Sequence, residues 1–205
     1  MHKPNESQTT FPEFINPKDL PYSTIQYRGK LPHLFKEGGT YFVTFRLGDA
    51  VIKKSSNHHQ KREISKLTAE EIFEFSEPAI QQGMCILKEK SIAEMIQNAL
   101  LFFHKERYYL YAWCIMPNHV HTVVSPFNPY SLSAILHTWK SFTAKEINKS
   151  LGTSGVIWER ESFNHLVRNE EYLKRFIDYI EYNPVKAGLC NKPEEWLFSS
   201  ASVKL

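Results

Sequence analysis

The stretch from Tyr108 to Val124 constrains this chain more than any other. Tyr108 to Met116 is one run of aromatic, aliphatic and β-branched residues, Pro117-Asn118 marks a turn, and His119 to Val124 is a second run. Two such runs joined by a turn pair predict a tight antiparallel hairpin. Successive side chains on a strand alternate faces, so His119 and His121 point one way and Val120 the other. Two imidazoles side by side on a rigid strand offer two ligands to a metal, with a third group needed from elsewhere. Spacing alone leaves open the alternative that both histidines face solvent or satisfy polar groups in the core.

The surrounding text alternates strands and helices. Thr40 to Leu47 is rich in β-branched and aromatic residues and predicts a strand. Thr68 with Glu71 forms a capping box for a helix reaching about Gln82. A second helix is expected from about Ser91 to His104, on the spacing of Ile92, Met95, Ile96, Ala99 and Leu100. Ser131 or Ser133 caps a third, which ends at Leu151 before Gly152. Val156–Trp158 and Ser162–Val167 suggest short edge strands. A last helix follows the N-cap Asn169, carries a stripe of Leu173, Phe176, Ile177 and Ile180, and is expected to close at Pro184. Hairpins interleaved with helices argue an α+β fold, an antiparallel sheet with helices packed on it.

Length allows one domain, at 205 residues, with residues 1–28 as an extended arm bearing Pro4, Pro12, Pro17 and Pro21. The basic loop from Lys53 to Arg62 carries His58 and His59 and reads as exposed and polar. A formal net charge of +3 does not by itself announce a nucleic-acid partner. Fourteen Phe, ten Tyr and four Trp supply core or stacking platforms, core being the commoner fate. Cys85, Cys114 and Cys190 are odd in number and scattered, which argues against a disulfide framework and a cysteine zinc site. No window approaches the ~18 apolar residues of a membrane span, so the cytoplasm is the expected location.

The last helix adds chemistry. Tyr179 and Asn183 are four residues apart and so share a helix face one turn apart. A phenol and a carboxamide oxygen could approach the same phosphate together. With a pKa of about 10 the phenol is a poor nucleophile near neutrality. A divalent cation would help by polarising the phosphodiester. The plainer alternative has Tyr179 at the edge of the core.

Four stretches taken in order resemble the REP-associated tyrosine transposases, of the single-tyrosine HUH (insertion-sequence) class. They are Gly39–Phe45, Ala112–His121, Trp139–Ala144, and a closing block from Ile157–Phe163 to Tyr179–Leu189, together covering about residues 29–200. Pro117-Asn118-His119-Val120-His121 combined with Tyr179-Ile180-Glu181-Tyr182-Asn183-Pro184-Val185-Lys186-Ala187-Gly188 is far more specific than either piece.

The resemblance implies a ferredoxin-like antiparallel sheet, helices on one or both faces, and the histidines on a central strand. It implies Mg or Mn held by His119, His121 and Asn183, where insertion-sequence relatives use the longer glutamine. It makes Tyr179 the nucleophile that forms a 5′-phosphotyrosine link and frees a 3′-hydroxyl, with no nucleotide cofactor. Tyr172 and Tyr182 lie on the same helix, but Tyr179 holds the family slot and sits one turn before Asn183.

The implied partner is single-stranded DNA folded as a palindromic-repeat hairpin, bound at the nucleoid. Lys140, Lys145, Lys149, Arg160 and Lys186 are candidate phosphate contacts and Trp139 a candidate base-stacking platform. A monomer is expected, although mobile-element relatives work as dimers. The rival readings are a hairpin-binding regulator that retains the fold without cutting, and a zinc protein using the same histidines.

Overall fold

The computed structural model describes residues 14–20, 23–28, 31–48, 68, 71 and 84–203. Strands β1 (Ser23–Arg28) and β2 (Leu31–Lys36) pair as an antiparallel hairpin. The extended arm expected over residues 1–28 therefore runs into regular structure at its end. Ser23-Thr24-Ile25-Gln26-Tyr27 has β-forming residue types, which the prolines just upstream mask in a composition-based reading.

The main sheet contains β3 (Tyr41–Arg46), β4 (Tyr108–Ile115), β5 (His119–Pro126) and β6 (Phe163–Leu166) in the order β4-β5-β3-β6, every pairing antiparallel. Among the described residues, α1 (Lys90–Leu101), α2 (Leu132–Leu151) and α3 (Glu170–Lys186) accompany it. The α+β class and the central position of the histidine strand are both as expected.

Alternation along the strands divides the core in two. Val43, Phe45, Leu110, Trp113, Val120 and Val124 face α1 and α2, which contribute Ile96, Leu100, Ile135, Leu136 and Ile147. On the other face Phe42, Ala112, Cys114 and Val123 meet Phe176 and Ile180 of α3. A register shift between Leu110 and Ala112 lets β4 serve both faces while its end stays aligned, with Cys114 opposite His121.

Local chemistry fixes the helix ends. Ser131 Oγ accepts from Ala134 N at 3.2 Å, and Gly152 takes φ 65° at the other end of α2. Asn169 Oδ1 accepts from Tyr172 N at 2.8 Å, with Glu170 and Glu171 in the positive first turn of α3.

Three boundaries differ from the sequence reading. Helix α1 stops at Leu101, where the chain turns back through Lys105 at φ 67°. Residues 156–158 form no strand and make one bridge, Leu47 to Trp158. Pro184 does not close α3, which continues to Lys186. A proline ring holds a helical φ and forfeits one N–H bond, a loss tolerable near an end that the Ala187 N–H closes onto Asn183 O at 3.0 Å.

The capping box expected of Thr68 and Glu71 is present, with bonds of 2.9 and 3.2 Å. The rest of that helix, and the loop of His58 and His59, lie outside the described residues. Among the described residues no helix is long and apolar enough to cross a membrane.

Candidate active site

Asn118 ends the β4–β5 turn, and its position is set by backbone bonds. Leu47 N donates to Asn118 O at 3.0 Å, and Met116 N to His119 O at 2.8 Å. From there β5 carries His119 and His121 onto the α3 face, opposite Arg46 and Thr44 of β3 respectively.

Both imidazoles are fully buried and both are oriented through Nδ1. His119 Nδ1 lies 2.7 Å from Asn118 Oδ1, and His121 Nδ1 lies 2.7 Å from Thr44 Oγ1. A carboxamide oxygen can only accept, so His119 carries its proton on Nδ1 and presents an Nε2 lone pair. The two Nε2 atoms stand 3.0 Å apart. Phe42 lies against the His121 ring, centroids 5.7 Å apart and nearly parallel.

Burial pushes the His119 imidazole well below its ordinary range, with the neighbouring His121 and Arg46 adding to the effect. Burial and then the Lys186 charge bring His121 down to about 3. Two neutral imidazoles with inward-facing Nε2 atoms are good ligands and poor bases.

Helix α3 closes the site. Asn183 Nδ2 is 3.4 Å from His121 Nε2, and Asn183 Oδ1 is buried with no hydrogen-bond partner among the described residues. Turning the amide over, which exchanges the places of its O and N, would aim the oxygen at His121. Either way a buried acceptor sits beside two nitrogen lone pairs, an arrangement costly on its own and stabilised by a cation.

The residues present fit such an ion. A separation of 3.0 Å between the nitrogens is what two bonds of about 2.1 Å subtend at about a right angle. The donor set is two nitrogens and one oxygen. Among the described residues no group of three or more His, Cys, Asp or Glu could hold a metal.

Of the three tyrosines on α3, Tyr179 is the one beside the histidines. Its ring lies edge-on to His121, centroids 5.6 Å apart, and edge-on to Phe42 at 6.1 Å. Tyr172 stacks edge-on at Phe176 near the start of the helix, and Tyr182 turns outward, 56% exposed. The Lys186 ammonium sits 5.7 Å from the centre of the Tyr179 ring.

The expected DNA contacts separate. The stacking role for Trp139 is overturned: the ring is 2% exposed, edge-on to Tyr108, with Nε1 donating to Tyr108 Oη at 3.0 Å. Its place in the α2 stripe facing the sheet is a core position that no base can reach. Lys140 is also committed, donating to Glu159 O at 2.6 Å, Arg160 O at 3.1 Å and Ser162 Oγ at 3.2 Å. Lys145 and Lys149 are exposed on α2, over the sheet face opposite the histidines. Arg160 is exposed in the segment beside the site, and Lys186 is exposed on the tyrosine helix itself.

Sequence reading missed Thr44 and Asn118, which hold the imidazoles, and Arg46 and Glu159 beside them. Asn118 carried a signal, adjacency to His119, but served equally well as a turn former. Thr44, Arg46 and Glu159 become visible only through the β3–β5 register and the Glu159 Oε2 contact to Arg46 Nε at 2.6 Å.

Residues 85–183 match the family model described as Transposase IS200 like. A REP-associated tyrosine transposase of Escherichia coli (strain K12) is 26% identical over 108 residues, 52% of this chain and 63% of that protein. A candidate REP-associated tyrosine transposase of Haemophilus influenzae is 29% identical over 99 residues, 43% of this chain and 56% of that protein. The chain thus matches less than two thirds of the length of these relatives. A solved structure of a REP-associated tyrosine transposase bound to a REP hairpin has a TM-score of 0.53 and 22% identity, covering 86% of this chain and 82% of the other. At that identity the likeness establishes a shared fold. The resemblance drawn from the motifs is found again in family model, curated relatives and architecture.

Proposed function

We propose that this chain is a metal-dependent, single-tyrosine DNA strand transferase that cuts and rejoins single-stranded DNA beside a palindromic-repeat hairpin. The observation that carries this reading is the trio of His119 Nε2, His121 Nε2 and the buried Asn183 Oδ1, with Tyr179 packed on His121. The likeness to REP-associated tyrosine transposases supports the substrate class.

His119, His121 and Asn183 would hold a divalent cation, Mg or Mn. When bound, the cation supplies electrophilic polarisation of the phosphodiester. The chain's own residues do the rest. Thr44 and Asn118 hold the two imidazoles in orientation through Nδ1. Phe42 and Phe176, ring centroids 4.7 Å apart, give α3 a rigid seat and so fix the Tyr179 ring.

The Tyr179 oxygen attacks phosphorus and gives up its proton to solvent. The bond to the 3′ oxygen breaks, that oxygen takes up a proton, and the 5′-phosphate remains on tyrosine. Attack by a 3′-hydroxyl on the phosphotyrosine reverses each change. Bond energy is kept, so no nucleotide is consumed. Because α3 seats on the histidines of its own chain, a monomer suffices, and its place of work is the nucleoid.

The test is a denaturing-gel assay for a covalent adduct between the full chain and a single-stranded hairpin oligonucleotide taken from repeats beside the gene. The expected adduct needs Mn or Mg, disappears with chelator or Tyr179→Phe, and survives Tyr182→Phe. Tight hairpin binding with no adduct under either metal would instead leave a regulator that binds without cutting.

A further inference from the structure

Arg46 has no role in the chemistry described so far. It ends β3 directly opposite His119, and strand alternation places it on the face that carries Thr44, His119 and His121. Its side chain is 25% exposed. Nε donates to Glu159 Oε2 at 2.6 Å, and among the described residues that carboxylate is the guanidinium's one hydrogen-bond partner. Of the five N–H donors of an arginine fork, the four on the terminal nitrogens remain for something else.

The Glu159 contact is not needed to fasten the segment that bears it. Gly48 N donates to Ile157 O at 2.8 Å, and Glu159 N donates to Arg46 O at 2.9 Å. Trp158 Nε1 donates to Thr143 Oγ1 at 2.8 Å, and Lys140 ties down the Glu159 carbonyl. With its backbone held on both sides, the Glu159 carboxylate acts on the guanidinium by gripping Nε, which leaves the Nη donors uncommitted among the described residues. A partly desolvated arginine held through Nε, cross-strand from His119, is suited to take an oxyanion.

We infer that Arg46 binds the phosphodiester at the cutting site, its Nη edge taking a non-bridging oxygen of the phosphate that Tyr179 attacks, with Glu159 as its positioning residue. This rests on the strand-transfer reading. The non-bridging oxygens gain negative charge as the tyrosine oxygen bonds to phosphorus, so a fixed cation there stabilises the transition state more than the ground state. Lys186 lies on the α3 side, 5.7 Å from the centre of the Tyr179 ring.

Two measurements on the full chain test this. In single-turnover adduct formation on the hairpin oligonucleotide, Arg46→Ala should slow the rate by about 10²–10³-fold. Arg46→Lys should recover part of that loss, with hairpin affinity within about threefold of wild type. A neutral methylphosphonate at the cutting position should erase the difference between wild type and Arg46→Ala. A defect of equal size on that neutral substrate, or no defect on the phosphodiester, overturns the assignment.

The second measurement needs no cutting. Inorganic phosphate titrated against wild type at millimolar concentration should shift the His119 imidazole NMR signals, and should leave them unmoved in Arg46→Ala. Identical shifts in both proteins also overturn it. Absence of adduct in wild type, with phosphate shifts that depend on Arg46, would sink the strand-transfer reading and leave the oxyanion site standing.

Discussion

Thr44 and Asn118 stand one bond away from the candidate chemistry, and each holds one imidazole by Nδ1 at 2.7 Å. Such partners fix the tautomer and ring orientation, and their loss costs about 10–100-fold in metal affinity in comparable sites. Thr44→Val keeps the shape and removes the hydroxyl, so Mn affinity by calorimetry should fall by about that factor with little change in melting temperature. The two nitrogens in the ligand set favour Mn over Mg, and Mn should bind more tightly to the wild type. Equal affinity for the two ions would mean that the imidazoles are not both ligands.

Burial of neutral imidazoles also makes stability depend on pH. His121 is brought down to about 3 by burial and Lys186, and His165 to about 4 by burial and Arg168. In the unfolded chain each would titrate near ~6.5. Between those values the unfolded state binds more protons, so stability is full above about pH 6.5 and falls as pH drops toward 4 and 3. Unfolding free energies from urea titrations at pH 7 and pH 5 should differ in that direction, by about 1–2 kcal/mol for each imidazole. His165→Asn, away from the metal trio, should shrink the difference, and an unchanged pH slope in that variant would show that His165 is not held neutral.

At the scale of elements, α3 brings Tyr179 and Asn183 to the histidines, and its start depends on one cap. Asn169→Ala removes the acceptor for Tyr172 N at 2.8 Å and should cost about 1 kcal/mol. For a chain of this size that is a drop of about 2–4 °C in melting temperature. A loss several times larger would mean that α3 is held by its cap more than by Phe176 and Ile180.

The hairpin, the capped helices and the shared face of His119 and His121 were legible because each is written in contiguous residues: a turn pair, a polar cap, a period of two. What Trp139 does was not legible, since helical spacing marks a face without saying whether core or solvent covers it. The α2 stripe turned that face to Tyr108 and Phe45, ring centroids 5.1 and 6.5 Å away. Thr44 and Arg46 entered the site through the register of β3 on β5, a tertiary relation between segments more than 70 residues apart. The end of α3 was misread for a local reason. Pro184 bars only the bond that its own nitrogen would make, and the remaining turn closes without it.

For the whole molecule, the four-stranded sheet separates scaffold from chemistry: α1 and α2 cover one face, and α3 works on the other. Among the described residues β4 ends the strand order of that sheet, with β5 as its strand neighbour and a single bridge from Cys114 to Ser199 on the other side. An uncovered edge strand this apolar would template association with other chains. The segment after α3 returns to cover it. Ile115 N donates to Phe198 O at 2.9 Å, Trp196 Nε1 donates to Ile115 O at 3.0 Å, and Ser200 Oγ lies 3.3 Å from both Trp113 N and Trp113 O. Ser200 Oγ also donates to Glu181 Oε1 at 2.9 Å, which ties the cover to the tyrosine helix.

Trp196→Ala should therefore do more than remove a half-buried ring. It leaves the Ile115 carbonyl without its indole donor and loosens the cover where β4 passes nearest the histidines. The expected cost is about 2–4 kcal/mol, from lost packing together with a carbonyl that loses its partner. Light scattering during a thermal ramp should show association beginning at lower temperature than in wild type. Trp196→Phe, which keeps most of the packing and loses the N–H, should fall between the two. If both variants melt lower yet stay monodisperse, the segment stabilises α3 through Glu181 and the β4 edge is shielded by its own side chains. If association advances with Ala and only slightly with Phe, the Trp196 ring itself is what shields the β4 edge.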